Sequence, residues 1–156
     1  MQPPERFAMN TRVLNGALEV GRVVIDIELA NYRDIIHAED GVLLADKVRR
    51  LTISGLVDPG ATRLVLPKSV VEQLGLQLGK KIKVGYADGR TAQRHVVEGV
   101  YLELLDRHST FTAIVEPKRT TALIGAIVLE DLDLLVDGKG QQVLPRDPHG
   151  EFFEIE

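Results

Sequence analysis

Apolar and polar residues alternate along most of this chain, and the period is two. In "GRVVIDIELANY", Val23, Ile25, Ile27 and Leu29 fall on one face while Val24, Asp26, Glu28 and Ala30 fall on the other. That is the pattern of a strand with one buried side. "VRRLTISGLVD" repeats it, with Leu51, Ile53 and Val57 alternating against Arg50, Thr52 and Ser54. Further β-type runs are "TRLVLP", "KIKVGYA", "HVVEGVYLEL", "TFTAIVE" and "TALIG", most of them separated by turn residues. Short strands at such spacing predict an all-β barrel or sandwich.

Two short helices interrupt the strands. "LPKSVVEQLGL" carries Pro67 near its first turn and Gly75 just past its last, the usual asymmetry of helix ends. Val70, Val71 and Leu74 form its apolar stripe. "IVLEDLDLL" places Ile127, Leu129, Leu132 and Leu135 among acids, in a run of modest helix formers. The expected organisation is one domain over residues 1–156. Residues 1–45 form an N-terminal tail and β-hairpin extension, with a boundary near Asp40-Gly41, and residues 46–146 form the core.

Composition narrows the function classes. A chain of 156 residues, 44% hydrophobic and 27% charged, can bury a core without staples. The absence of cysteine excludes disulfides, thiolate metal sites and thiol nucleophiles. A net charge of -4 offers no basic footprint for nucleic acid. No run of about 18 apolar residues spans a membrane. "MQPPERFAMN" lacks the apolar run of a signal peptide, so a cytoplasmic protein is expected. The first nine residues are expected to be poorly ordered, with Met9 an alternative start. His37, His95, His108 and His149 share no ligand spacing, so neither a metal nor another cofactor is expected.

The remaining chemistry centres on Asp58 in "LVDPGAT". Asp-Pro-Gly alone reads as a turn. Here, however, Asp58 follows one apolar strand and its Gly-containing loop precedes another. A carboxylate at the end of a buried strand is costly unless it is paired or hydrogen bonded. Downstream, "TALIG" ends in Gly125, which has no side chain to bar a second backbone segment. Between them, Asp88-Gly89 in "GYADGR" marks a hairpin that folds residues 82–97 back on themselves.

In this order and spacing the three elements resemble the retropepsin-like (clan AA) aspartic proteases, in particular small microbial aspartyl protease-like proteins. The resemblance covers residues 20–146. Asp58, Pro59, Gly60, Ala61 and Thr62 match the active-site loop, with Asp58 catalytic. Tyr86, Ala87, Asp88, Gly89 and Arg90 match the flap, and Leu123, Ile124 and Gly125 match the hydrophobic-hydrophobic-Gly element. The resemblance implies an all-β acid protease barrel with one or two short helices and one half-site per chain. It also implies a homodimer whose paired Asp58 carboxylates share a proton and activate water, without metal or other cofactor. The implied substrate is an extended peptide or protein, with Val84, Tyr86 and Leu123 lining the cleft, and the implied pH optimum is acidic. The segment "VDGKGQQVLPRDP" would add interface strands. Neither nucleic acid nor a membrane is an implied partner.

Pro59 departs from the pattern. The family has Thr or Ser there, whose hydroxyl ties the two Asp loops together, whereas proline has neither a hydroxyl nor an N–H. Weakened catalysis is therefore expected. The alternative is a catalytically inactive dimeric peptide-binding module on the same fold, its flap clamping a strand. A third reading is an unrelated β-domain in which Asp58 is only a turn residue.

Overall fold

The alternating runs pair into a sheet that closes on itself. A computed structural model describes residues 22–156, together with the backbone pairing of β1 (Val13–Leu14) with β2 (Ala17–Leu18). The expectations for the first nine residues and for Met9 lie outside the described residues. The main strands are β3 (Val23–Asn31), β4 (Arg50–Val57), β5 (Leu64–Pro67), β6 (Lys81–Gly85), β7 (Thr91–Leu104), β8 (Arg107–Glu116) and β9 (Ala122–Ile124). Their order is β3-β4-β9-β5-β8-β7-β6, and a further β3–β7 pairing closes the first six into a barrel. The fold is therefore the expected retropepsin-like β-barrel with short helices.

Inside the barrel lies one apolar core. Ile27, Leu29, Val57, Leu64, Leu66, Leu102 and Ile124 are buried in it, most of them on the faces that the period-two pattern assigns inward. The 14-residue β7 turns its corner at a bulge between Val97 and Val100, where Gly99 takes φ +71°.

The helices follow the sequence in part. Helix α1 (Tyr32–Glu39), which the alternation did not suggest, is capped by Asn31, whose side chain accepts from the Asp34 N–H at 3.1 Å. Helix α2 (Lys68–Gln73) starts after Pro67, ends before Gly75 at φ +64°, and buries Val70, Val71 and Leu74 as expected. Helix α3 (Ala126–Asp131) is shorter than the expected span. Asp133 adopts φ +56°, and the chain then re-enters a strand, β10 (Leu134–Asp137), paired with β11 (Gln142–Pro145). Arg107 fixes the break by donating to the Leu132 and Asp133 carbonyls at 3.0 and 2.8 Å. Leu135 therefore lies on a strand, and both it and Ile127, which is within α3, face solvent instead of forming a helical stripe.

Part of the segment 1–45, expected as an extension, pairs within the barrel sheet. β3 pairs with β4 from Val23↔Val57 to Ala30↔Arg50, and with β7 from Glu28↔Glu103 to Asn31↔Val100. Its side chains supply core, so the barrel includes residues upstream of 46.

Candidate active site

Asp58 is positioned by its two flanking elements. β4 runs parallel to β9 with Val57 opposite Ile124, and the Asp58 N–H continues that ladder to the Ile124 carbonyl at 3.0 Å. The chain then turns, the Ala61 N–H reaching the Asp58 carbonyl at 3.1 Å. The turn brings the Gly60 N–H to Asp58 Oδ1 at 2.9 Å. The other carboxylate oxygen has no hydrogen-bond partner among the described residues. Asp58 is half-buried, and Pro59 and Gly60 are exposed.

Gly125 holds this loop from behind. The Ala126 N–H donates to the Ala61 carbonyl at 2.8 Å and the Ile127 N–H to the Thr62 carbonyl at 3.0 Å. The crossing is so close that a Cβ on Gly125 would lie 2.5 Å from the Arg63 carbonyl oxygen and 2.8 Å from that of Ala61. Only glycine fits without moving backbone. The loop of Asp58, Pro59, Gly60, Ala61 and Thr62 and the element Leu123, Ile124, Gly125 are thus brought together.

The Tyr86–Arg90 segment is the tip of the β6–β7 hairpin. The Tyr86 N–H bonds to the Arg90 carbonyl at 2.9 Å, and Gly89 takes φ +88°. Asp88 accepts from the Arg90 N–H and Nε at 2.9 and 2.6 Å, while Ala87 is exposed. The Arg90 guanidinium carbon lies 5.3 Å from the Tyr86 ring centroid. These bonds close the turn at the end of the hairpin.

A cleft of about 410 Å³ lies between this hairpin and the barrel. Gly60, Ala61 and Thr62 form part of its wall, although Asp58 itself does not. Val65, Ile82, Val84, Ile114 and Leu123 make its apolar surface, so the expected Val84, Tyr86 and Leu123 do line one space.

Three polar residues at the cleft escaped the sequence reading. Glu116, at the end of β8, accepts the Tyr86 O–H at 2.8 Å on one oxygen and the Arg94 Nε on the other. Burial, and then the Glu116 carboxylate, push the Tyr86 hydroxyl above its ordinary range, with Arg94 opposing. Arg119, just before β9, donates Nε to the Thr121 carbonyl at 2.9 Å and a terminal nitrogen to Thr121 Oγ1 at 3.4 Å. Burial draws its guanidinium below the ordinary arginine range, against the pull of the Glu116 and Asp58 carboxylates. Nothing in local spacing marks these three. The barrel joins positions that lie 22 and 30 residues apart. No cluster of three or more His, Cys, Asp or Glu side chains among the described residues could hold a metal ion.

A carboxylate at a strand end, a glycine crossing behind it and a hairpin across a cleft from its loop can polarise water or grip an extended peptide. No curated protein matches the chain. Comparison with protein families, however, aligns residues 46–138, more than half of the chain, with the aspartyl protease family. The chain is therefore a member of the retropepsin-like aspartyl proteases.

Proposed function

We propose that this chain is an aspartic endopeptidase that works as a homodimer, with one Asp58 from each copy at a shared site. The observation that carries the reading is the Asp58 loop, braced by Gly125 and opening beside the cleft under the Tyr86–Arg90 hairpin. One Asp58 oxygen is engaged by the Gly60 N–H, leaving the other to meet its partner or a water.

Two carboxylates brought together in one site do not both ionise cheaply, so they hold one proton between them. The ionised member takes a proton from water, and the protonated member polarises the scissile carbonyl. Water is the nucleophile, and activity peaks where the pair is singly protonated. A second chain is required because one barrel supplies one Asp58 loop. The β10–β11 hairpin supports an interface role, being a two-stranded sheet outside the barrel. The chain carries no cysteine, in keeping with a cytoplasmic setting.

Pro59 favours a second reading, a dimeric peptide-binding module with little or no catalysis. It removes the hydroxyl and the N–H that a Thr or Ser would offer across the two-fold axis. A misalignment of about 1 Å between reacting groups can lower a rate by ~100-fold.

The test is cleavage of a pooled extended-peptide library from about pH 4 to 7 by wild type, Asp58→Asn and Pro59→Thr chains. Intact mass is checked first, since an Asp-Pro bond is acid-labile. The proposal expects wild type to cut, Pro59→Thr to cut faster and Asp58→Asn to be inert. Cutting by Pro59→Thr alone supports the binding-module reading. Cutting by Asp58→Asn overturns both.

A further inference from the structure

The cleft is basic although the chain as a whole is acidic, at net charge -4. Among the described residues, Arg63, Lys83 and Arg119 line it, and Glu116 is the one acidic lining residue. An adjoining hollow of about 280 Å³, sharing Tyr86 and Glu116, adds Arg90, Arg94 and Lys118. Glu116 is already engaged by Arg94 and the Tyr86 hydroxyl, and Arg90 is engaged by Asp88. Among the described residues, Arg63, Lys83, Lys118 and Arg119 have no carboxylate at ion-pair distance.

Arg119 is the best placed of the four. Lys83 lies on the more exposed face of β6, whereas Ile82 and Val84 are half-buried on the other. Arg63 and Lys118 are exposed and free to turn into solvent. Arg119 is half-buried, and Thr121 holds its guanidinium through two bonds. A guanidinium has five N–H donors, and no other described residue takes the remainder. A planar, partly desolvated guanidinium fixed in a peptide cleft fits a carboxylate bidentately.

We propose that the cleft selects extended peptides carrying an Asp or Glu side chain, and that Arg119 is the specificity residue that receives it. This rests on the peptide-cleft reading above. The surrounding cations raise the local concentration of acidic peptides, and Arg119 supplies the directed contact. Amide isosteres lose that contact.

Two pooled libraries of fluorescein-labelled decapeptides test this, identical except that one carries Glu where the other carries Gln. Cleavage by wild type and binding to Asp58→Asn by anisotropy are both measured. The expected result is a preference for the Glu library of about tenfold or more, shrinking as salt is raised. Arg119→Met should bring the ratio close to one, and Arg119→Lys should keep part of it. Arg119→Gln serves in place of Arg119→Met if the latter unfolds. Equal use of the libraries by wild type, or a preference that survives Arg119→Met, overturns the assignment. So does a single-stranded DNA oligonucleotide that competes as well as the Glu library. If nothing is cut but Asp58→Asn binds with the Arg119-dependent preference, the inference stands and proteolysis fails. If neither library binds, the inference fails.

Discussion

Replacing Gly125 with alanine probes the brace behind Asp58. The added Cβ would lie 2.5 Å from the Arg63 carbonyl oxygen, where ordinary contact begins at 3.4 Å, so the segments must part by 3.4 − 2.5 = 0.9 Å. Its neighbours are backbone atoms, which cannot rotate away. Opening the crossing by that much breaks the bonds from the Ala126 and Ile127 N–H groups, now 2.8 and 3.0 Å long. Two hydrogen bonds at about 0.5–1.5 kcal/mol each, with overpacking at about 1–3 kcal/mol, give a loss of about 2–6 kcal/mol. For a chain of this size that lowers the thermal midpoint by about 6–18 °C. Urea and thermal unfolding should be compared with wild type at matched protein concentration, because a dimer's stability depends on it. Gly138→Ala, where the Cβ meets nothing within 4 Å, is the control. The displaced loop should also cut peptides ~100-fold more slowly. A Gly125→Ala protein within about 0.5 kcal/mol of wild type would refute the reasoning.

Other expectations follow from named contacts. Asn31→Ala removes the α1 cap and leaves the Leu74 carbonyl without its 2.8 Å donor, so urea unfolding should show a loss of about 2–4 kcal/mol. The Arg49 side chain holds the Asp34 carboxyl below the ordinary range, against burial, and the Phe152 N–H and then Arg146 do the same for Asp133. Both titrate lower folded than unfolded. Their stabilisation is therefore complete above about pH 4 and is lost as pH falls through the folded values. Asp34→Asn should flatten the acid limb of midpoint against pH, and an unchanged limb would contradict this. Tyr86→Phe deletes the bond to Glu116 at 2.8 Å, freeing the hairpin from the barrel. Amide exchange at Ala87–Gly89 should speed up and KM should rise, whereas unchanged exchange would mean that the bond does not hold the hairpin.

What the sequence disclosed was what depends on local pattern. Alternation in β3 and β4 reflects one buried face, and Pro67 and Gly75 bracket α2 through backbone chemistry that any reader of the chain can see. Gly125 and the Asp88-Gly89 turn were legible for the same reason, since each is a backbone requirement. Helix α1 was within reach, because Asn31 three residues ahead of Asp34 is a cap signal, but the apolar run of β3 leads straight into it. The early end of α3 was not. It depends on Arg107, from a distant strand, taking the Leu132 and Asp133 carbonyls out of the helix. Glu116, Arg94 and Arg119 were hidden for a similar reason. A charged residue on a strand or in a turn looks solvated until the barrel closes and sets it at the cleft or against Glu116.

Subunit mixing tests the paired carboxylates most directly. Wild type is refolded with a roughly ninefold excess of Asp58→Asn chains, and peptide cleavage per wild-type chain is followed. If both copies of Asp58 are needed in one site, random pairing leaves roughly a tenth of the wild-type chains with an active partner, and activity per chain falls to match. Activity per wild-type chain that stays constant across the mixing series would contradict the account, because each Asp58 would then be working alone.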